Sequence, residues 1–536
     1  MHRRVYMPVL LLLGLLLHPT GAHAILSATI QIDDGAVGTP VQVSMLTGTN
    51  LPAWLGASLD DPVFRSRALA SGIGVIRIPG GSWSDDYGWL SCELRANQPG
   101  TAACGDGWES WAARPTDFIN FIRALGKGGD QVIYTMNVNV TANEAAAAVA
   151  FFNAQPGDTT PIGVDIHGTD WHTAGYWAQL RADHGNPQPL GIRYWEFGNE
   201  VYGGLPATGG ASCVPWGWED SWTCNGAEYV NGTGSGSARH QGYLEFRSAM
   251  RAVDPTILLG AVGTEDPADY GNWGNDVIAA AGAVMDFYIV HPYAYYIPPP
   301  NTRSGRAAVL AQPRAHWGAL HSALQAAFDA HAGGRPIPVF ATEYNLVSVQ
   351  DQDTSRLMTH ALNALFIGES IGQALENGFG MANQWDLANG CAANGTCYDL
   401  LQVDHAFRRA PQYFAFPLWA RFGNARLSAS VSLDPVSQLS VYAGRIDAAT
   451  LSLLVINKTS RPINAALTLG SGKAVTSATA DVVHGALTAR SVRYNTRLNP
   501  ADDLSNAPAR PLTKVGTTVT YRFAATSITL LRLTAP

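Results

Sequence analysis

Two glutamates stand where reactive side chains are expected. Glu200 and Glu343 each follow a short apolar run, residues 192–197 (IRYWEF) and 337–342 (IPVFAT). A carboxylate in such a place has three ordinary uses: capping a helix, pairing with an arginine, or doing chemistry. Two facing carboxylates are the minimum set for hydrolysing a glycosidic bond, one protonated to release the leaving oxygen and one ionised to attack or stabilise the sugar cation. The neighbours favour chemistry. Asn199 directly precedes Glu200, Arg77 ends the run 74–79 (GVIRIP), His291 and Tyr293 end 286–291 (DFYIVH), and Gln384 and Trp385 end 380–385 (GMANQW). An amide can bind a sugar hydroxyl, a cation can keep a carboxylate ionised, a phenol can orient it, and an indole offers a platform for a sugar ring.

The elements that must position these residues are βα units. Between residues 47 and 415, apolar or β-branched runs alternate with longer stretches of helical spacing such as 115–125, 241–253 and 355–369. The strand candidates are 74–79, 131–137 (QVIYTMN), 192–197, 257–262 (ILLGAV), 286–291, 337–342 and 380–385, and a weaker first strand near 41–46 or 53–56 brings them to eight. No Gly-x-Gly-x-x-Gly turn follows the early strands, so a closed barrel is expected rather than an open nucleotide-binding sheet. In a barrel, residues just past the strand ends share one mouth. From 416 to 536 the pattern changes to short strands, 439–442, 451–456, 465–469, 519–523 and 527–533, which predicts a β-sandwich. Residues 25–33 alternate as well and are expected to add a strand to that sandwich, giving an N-terminal segment 25–46 ahead of the barrel. The fold class is therefore α/β, a (β/α)₈ TIM barrel with an accessory β-sandwich domain.

Residues 1–24, with Arg3 and Arg4 before an apolar stretch and Ala22-His23-Ala24 at its end, read as a secretory signal peptide. Export would place the protein in the periplasm or medium, where the close cysteine pairs Cys92 and Cys104, Cys213 and Cys224, and Cys391 and Cys397 are expected to form local disulfides. No cysteine pair has zinc-site spacing, and the run 350–353 (QDQD) lacks the glycine of a calcium loop, so neither a metal nor a cofactor is expected. A net charge of −8 disfavours nucleic acid and anionic membranes as partners.

Three segments resemble a large clan of retaining glycosidases on (β/α)₈ barrels: 76–83 (IRIPGGSW), 195–203 (WEFGNEVYG) and 341–345 (ATEYN). The resemblance implies Glu200 as general acid/base, Glu343 as nucleophile and Asn199 as ligand of the 2-hydroxyl. It makes Arg77, His291, Tyr293 and Trp385 their support, with Gln384 beside them. Within the clan the chain is most similar to the α-L-arabinofuranosidases, through Tyr87-Gly88-Trp89, residues 250–259 (MRAVDPTILL), Ala382-Asn383-Gln384 and residues 453–458 (LLVINK). Ser82 stands where that group usually has asparagine, and Thr342-Glu343-Tyr344 replaces an Asp-Glu-Trp type of nucleophile motif. The expected substrate is a plant-type polysaccharide or oligosaccharide. The competing readings are an endo-β-glycanase (glucanase or xylanase), a β-xylosidase or β-glucuronidase, and a carbohydrate-binding protein without catalysis. Two further features stay open: Asp85 and Asp86 read as solvated turn residues or as sugar ligands, and Trp216, Trp218 and Trp222 as a sugar platform or a local mini-core.

Overall fold

A computed structural model describes residues 26–95, 104, 112–206 and 217–536. Eight parallel strands close into a barrel: Gly48–Asn50, Ile76–Ile78, Val132–Met136, Tyr194–Phe197, Leu258–Val262, Phe287–Val290, Val339–Tyr344 and Met381–Gln384, the last pairing with the first. Seven of them match the apolar runs, because strands covered by helices outside and packed inside are buried on both faces and read as continuous apolar segments. The first strand is not at 41–46 or 53–56. Residues Val43–Leu46 form a helical turn and Ala53–Asp60 a 3₁₀ segment, and the strand is Gly48-Thr49-Asn50 between them. It carries no apolar signature because its chemistry is local: a side chain at Gly48 would lie 2.6 Å from Asn383 Oδ1, and Thr49 and Asn50 point polar groups at the eighth strand.

The barrel interior is divided by chemistry. Its N-terminal end is plugged by Tyr194, Phe287 and Phe340, with Phe287 and Phe340 stacked at 4.1 Å. Gly260 and Gly380 make room for this plug, since a Cβ at either would lie 2.0 Å from Phe287 or 2.5 Å from Phe340. The C-terminal end holds Asn50, Arg77, Thr135, Glu196 and Thr342, all buried and polar. Helices outside include Pro62–Ala70, whose first turn is capped by Asp61 at 2.8 and 2.9 Å, and Ala361–Glu376, buried along nearly its whole length.

Leu26–Ile32 lies in a four-stranded sheet, parallel to Ile463–Leu469 and antiparallel to Ala429–Val431. The second sheet contains Leu439–Arg445, Thr450–Asn457, Ser527–Thr534 and Ser477–His484, the last not evident as a strand in the sequence. Alternation assigns the faces. Val441, Leu453, Val455, Leu531 and Leu533 fill the space between the sheets, whereas Tyr442, Leu454, Ile456, Ile528 and Leu530 pack on the barrel. Gly372 of Ala361–Glu376 is needed there, for a Cβ would lie 2.3 Å from the Tyr442 ring. Among the described residues no helix is long and apolar enough to cross a membrane. Residues 1–24 lie outside the described ones.

Candidate active site

Glu200 follows the fourth strand and Glu343 is the penultimate residue of the seventh, so the βα rule brings them to one mouth. One carboxylate oxygen of each, together with a ring nitrogen of His291, lie within 4.8 Å of one another. The chain reaches this geometry through a sharp turn. Gly198 has φ +80°, and Glu200 itself has φ +27°, a left-handed conformation that costs a non-glycine residue about 1–3 kcal/mol. Three bonds hold it: Gly203 N–H donates to Glu200 O at 2.7 Å, Trp218 Nε1–H to Oε2 at 2.6 Å, and His291 Nδ1 meets Oε1 at 2.7 Å.

Glu343 is held differently. Arg77 Nη1 donates to its Oε1 at 2.6 Å and the Tyr293 hydroxyl to its Oε2 at 2.8 Å. Arg77 is fully buried and also donates to Asn50 Oδ1 at 3.0 Å, to Asn199 Oδ1 at 2.7 Å, and to Glu196, which Thr135 bonds as well. Burial works against this guanidinium's charge, but Glu196 and Glu343 outweigh it and bind its proton more tightly. One arginine thereby links four barrel strands and two carboxylates.

The two glutamates sit in different electrostatic surroundings. Burial pushes the Glu200 carboxyl up, yet the His291 bond and charge and the Trp218 N–H together bring it below its ordinary value. His291 is raised: burial disfavours its charge, and Glu343 and Glu200 more than compensate. The two shifts, one down and one up across a 2.7 Å bond, favour a single proton held between Glu200 and His291. Glu200 is the more open to solvent, its side chain 18% exposed against 7% for Glu343.

Trp385 packs its ring over Gly81, where a Cβ would lie 2.3 Å away, and meets Trp54 edge-on at 6.2 Å. Trp54 contacts the exposed Trp83 at 5.1 Å. Gln384 is drawn in a different direction: fully buried, its amide donates to the backbone carbonyls of Trp385 and Tyr398. Asp85 is no solvated turn residue. It is buried and accepts from the backbone N–H of Asn199 at 3.1 Å and of Val138 at 3.4 Å, while Asp86 is exposed. The tryptophans divide: Trp218 bonds Glu200, Trp222 stacks on His240 at 5.1 Å, and Trp216 lies outside the described residues. Cys92–Cys104 and Cys391–Cys397 are disulfides. Cys224 is disulfide-bonded too, and Cys213 lies outside the described residues.

Residue spacing did not single out Asn50, Glu196 or Glu219, nor give Trp218 its contact with Glu200. Glu196 left a trace, a carboxylate within an otherwise apolar strand. Glu200, His291 and Glu343 also have metal-ligand spacing. All four carboxylate oxygens are already bonded by Arg77, Tyr293, Trp218 or His291, and a cation would have to displace these donors beside a guanidinium.

No family model matches the chain. It is 26% identical over 235 residues to an intracellular exo-α-(1→5)-L-arabinofuranosidase of Streptomyces lividans, a stretch covering 42% of this chain and 28% of that protein. It is 25% identical over 233 residues to α-L-arabinofuranosidase C of Emericella nidulans, covering 41% and 37%. Over these stretches the chain is similar to arabinofuranosidases. It spans less than half the length of these curated relatives. The likeness in fold extends further: a family 51 α-L-arabinofuranosidase from Bifidobacterium longum superposes with a TM-score of 0.70 at 17% identity, covering 95% of this chain and all of the other. A family 44 xyloglucanase from Paenibacillus polymyxa gives 0.57 at 15% identity, again over 95% and all.

Proposed function

We propose that this protein is a retaining glycosidase acting on plant-type polysaccharide or oligosaccharide, and that it removes α-L-arabinofuranosyl units. The observation that carries the reaction type is the approach of Glu200 and Glu343 within 4.8 Å, the short separation that direct attack requires, against roughly 6.5–9.5 Å when a water must fit between. The sugar assignment is supported by the named activity of the relatives.

The geometry supports a double displacement. A Glu343 oxygen, aimed by Tyr293 and Arg77, attacks the anomeric carbon as the bond to the leaving oxygen breaks. That oxygen takes the proton shared by Glu200 and His291. The resulting glycosyl ester is opened by water, whose proton returns to Glu200, and Glu343 leaves as carboxylate with the configuration retained. Asn199 offers an amide hydrogen to the neighbouring hydroxyl, and Trp385 a face for the ring. A second reading, an endo-acting β-glycanase, has in its favour the exposed Trp83, Trp218 and Tyr270, which suit a longer sugar chain. Action outside the cytoplasm is part of the proposal, supported by the character of residues 1–24 and by the disulfides. A panel of nitrophenyl glycosides run beside arabinan, xylan and glucan tests the substrate, and NMR of the first-formed anomer tests the mechanism. Release of arabinose with retained configuration is expected. Faster cleavage of internal bonds in polymers selects the second reading, and an inverted first product ends the double displacement.

The Trp218 bond makes a pH prediction. Its N–H stabilises ionised Glu200, so Trp218→Phe raises the affinity of the Glu200–His291 pair for its proton. Glycosylation needs that proton and fails as pH rises through its loss, so the alkaline limb of kcat/KM moves to higher pH. A limb that stays in place while kcat falls would reduce Trp218 to a packing role.

A further inference from the structure

Behind Asn199 sits a carboxyl that the mechanism above does not use. Glu219 begins the short strand Glu219–Ser221, in the connection after the fourth barrel strand, and is 2% exposed. Its Oε1 accepts from Ser82 Oγ at 2.7 Å and from Asn199 Nδ2 at 2.8 Å, and its Oε2 is buried without a partner among the described residues. Asn199 is thus gripped at three points: Oδ1 by Arg77 at 2.7 Å, the backbone N–H by Asp85 at 3.1 Å, and Nδ2 by Glu219. An amide nitrogen carries two hydrogens. One is taken by Glu219, which leaves one to donate.

We propose that Glu219, braced by Ser82, is a positioning residue that fixes the Asn199 amide so that its remaining hydrogen points at the sugar hydroxyl beside the anomeric carbon. The proposal rests on the glycosidase reading above. Arg77 alone fixes only the oxygen end of the amide; Glu219 defines the nitrogen end and so its tilt. The charge state fits the task. Burial, Asp85 from the turn after the second strand, and Glu200 from the fourth-strand loop all push the Glu219 carboxyl well above its ordinary range, against the weaker pull of Ser82 and Asn199. Asp86, Tyr87, Tyr202 and Asp220 are the other titratable groups on these segments, and Arg77 bonds the far end of the same Asn199 amide. A carboxyl pushed in this way towards its neutral form still accepts two hydrogen bonds on one oxygen and puts less negative charge beside Glu200.

Glutamine reproduces a neutral acid in shape and acceptors, whereas alanine removes the grip. With the nitrophenyl glycoside that wild type hydrolyses best, Glu219→Ala is expected to lose about 10- to 100-fold in kcat/KM, mainly in kcat, as for a lost hydrogen bond that strengthens in the transition state. Glu219→Gln is expected to stay near wild type. The deciding measurement is the cycle with Asn199→Ala: because Glu219 acts through Asn199, adding Glu219→Ala to Asn199→Ala costs nothing more. Should Glu219→Ala fail to fold, Ser82→Ala loosens the same carboxyl from the half-buried edge, and the same non-additivity is expected. Additive losses, or a Glu219→Gln variant as damaged as the alanine, overturn the proposal. A folded wild type that hydrolyses no glycoside overturns the glycosidase reading together with it, whereas additivity in an active enzyme overturns this inference alone.

Discussion

Glu343→Gly removes hydrolysis, with kcat falling roughly 10⁴- to 10⁶-fold, and added azide restores turnover as a glycosyl azide of inverted configuration. The size of the effect follows from the role proposed for this residue: without its carboxylate no ester forms, and water is left with neither a path nor an activated partner at that face. The rescue follows from the cavity. Glycine frees the volume of a carboxylate directly in front of the anomeric carbon, with Arg77 Nη1 and the Tyr293 hydroxyl still in place to attract a small anion. The fold should survive, because Arg77 keeps Glu196, Asn50 and Asn199 as partners and is not left as an uncompensated buried charge. A melting temperature close to wild type, and a fluorinated sugar that labels wild type at Glu343 but leaves the variant unlabelled, would complete the case. Label on another carboxylate, or azide without effect in a folded variant, would take the nucleophile role from Glu343.

What could be read from the sequence, and what could not, divides by the range of the interactions involved. Seven barrel strands were legible because burial on both faces writes itself as an apolar run, and Glu200 and Glu343 because they break such runs at their ends. Gly48–Asn50 was not, since its residues are chosen by single neighbours on the eighth strand: Asn383 excludes a side chain at 48, and Thr49 and Asn50 bond Gln384. The same holds for the acids behind the site. Asp85 beside Asp86 has the look of a turn, and only the fold carries one of the pair beneath Asn199 while the other stays in solvent. Glu219 lies 20 residues from Asn199 and 137 from Ser82, so no local pattern signals their meeting. Gln384 shows the opposite failure. Its place at a strand end suggested sugar binding, but strand alternation turns its amide to the backbone of Trp385 and Tyr398. A strand end brings a residue to the mouth; which way the side chain leaves it depends on the pleat.

Glu200→Ala should separate leaving groups rather than simply slow the enzyme. The proton shared with His291 is needed when the departing oxygen is a poor leaving group, as in an alkyl or sugar aglycone, and there kcat/KM should fall about 10²- to 10⁴-fold. A dinitrophenolate departs without protonation, so its kcat/KM should stay near wild type. Its kcat should nevertheless drop, together with KM, because opening the ester then lacks a base and the glycosyl-enzyme accumulates. Azide needs no base, and should raise kcat by attacking that ester. The product is then a glycosyl azide of retained configuration, two displacements having occurred, in contrast to the inverted azide expected from Glu343→Gly. The local structure should tolerate the change: Trp218 stands at a solvent-exposed edge where water can take its N–H, and His291 loses one of the two anions that raise it and becomes neutral more readily. The alkaline limb of kcat/KM seen with the poor leaving groups should disappear, since it reports the loss of a proton that the variant no longer supplies, whereas the dinitrophenyl substrate, which never uses that proton, should show no such limb in either enzyme. An equal loss on both leaving groups, or an unchanged alkaline limb, would remove Glu200 from the acid/base role and leave the 4.8 Å approach of the two carboxylates without its simplest chemistry.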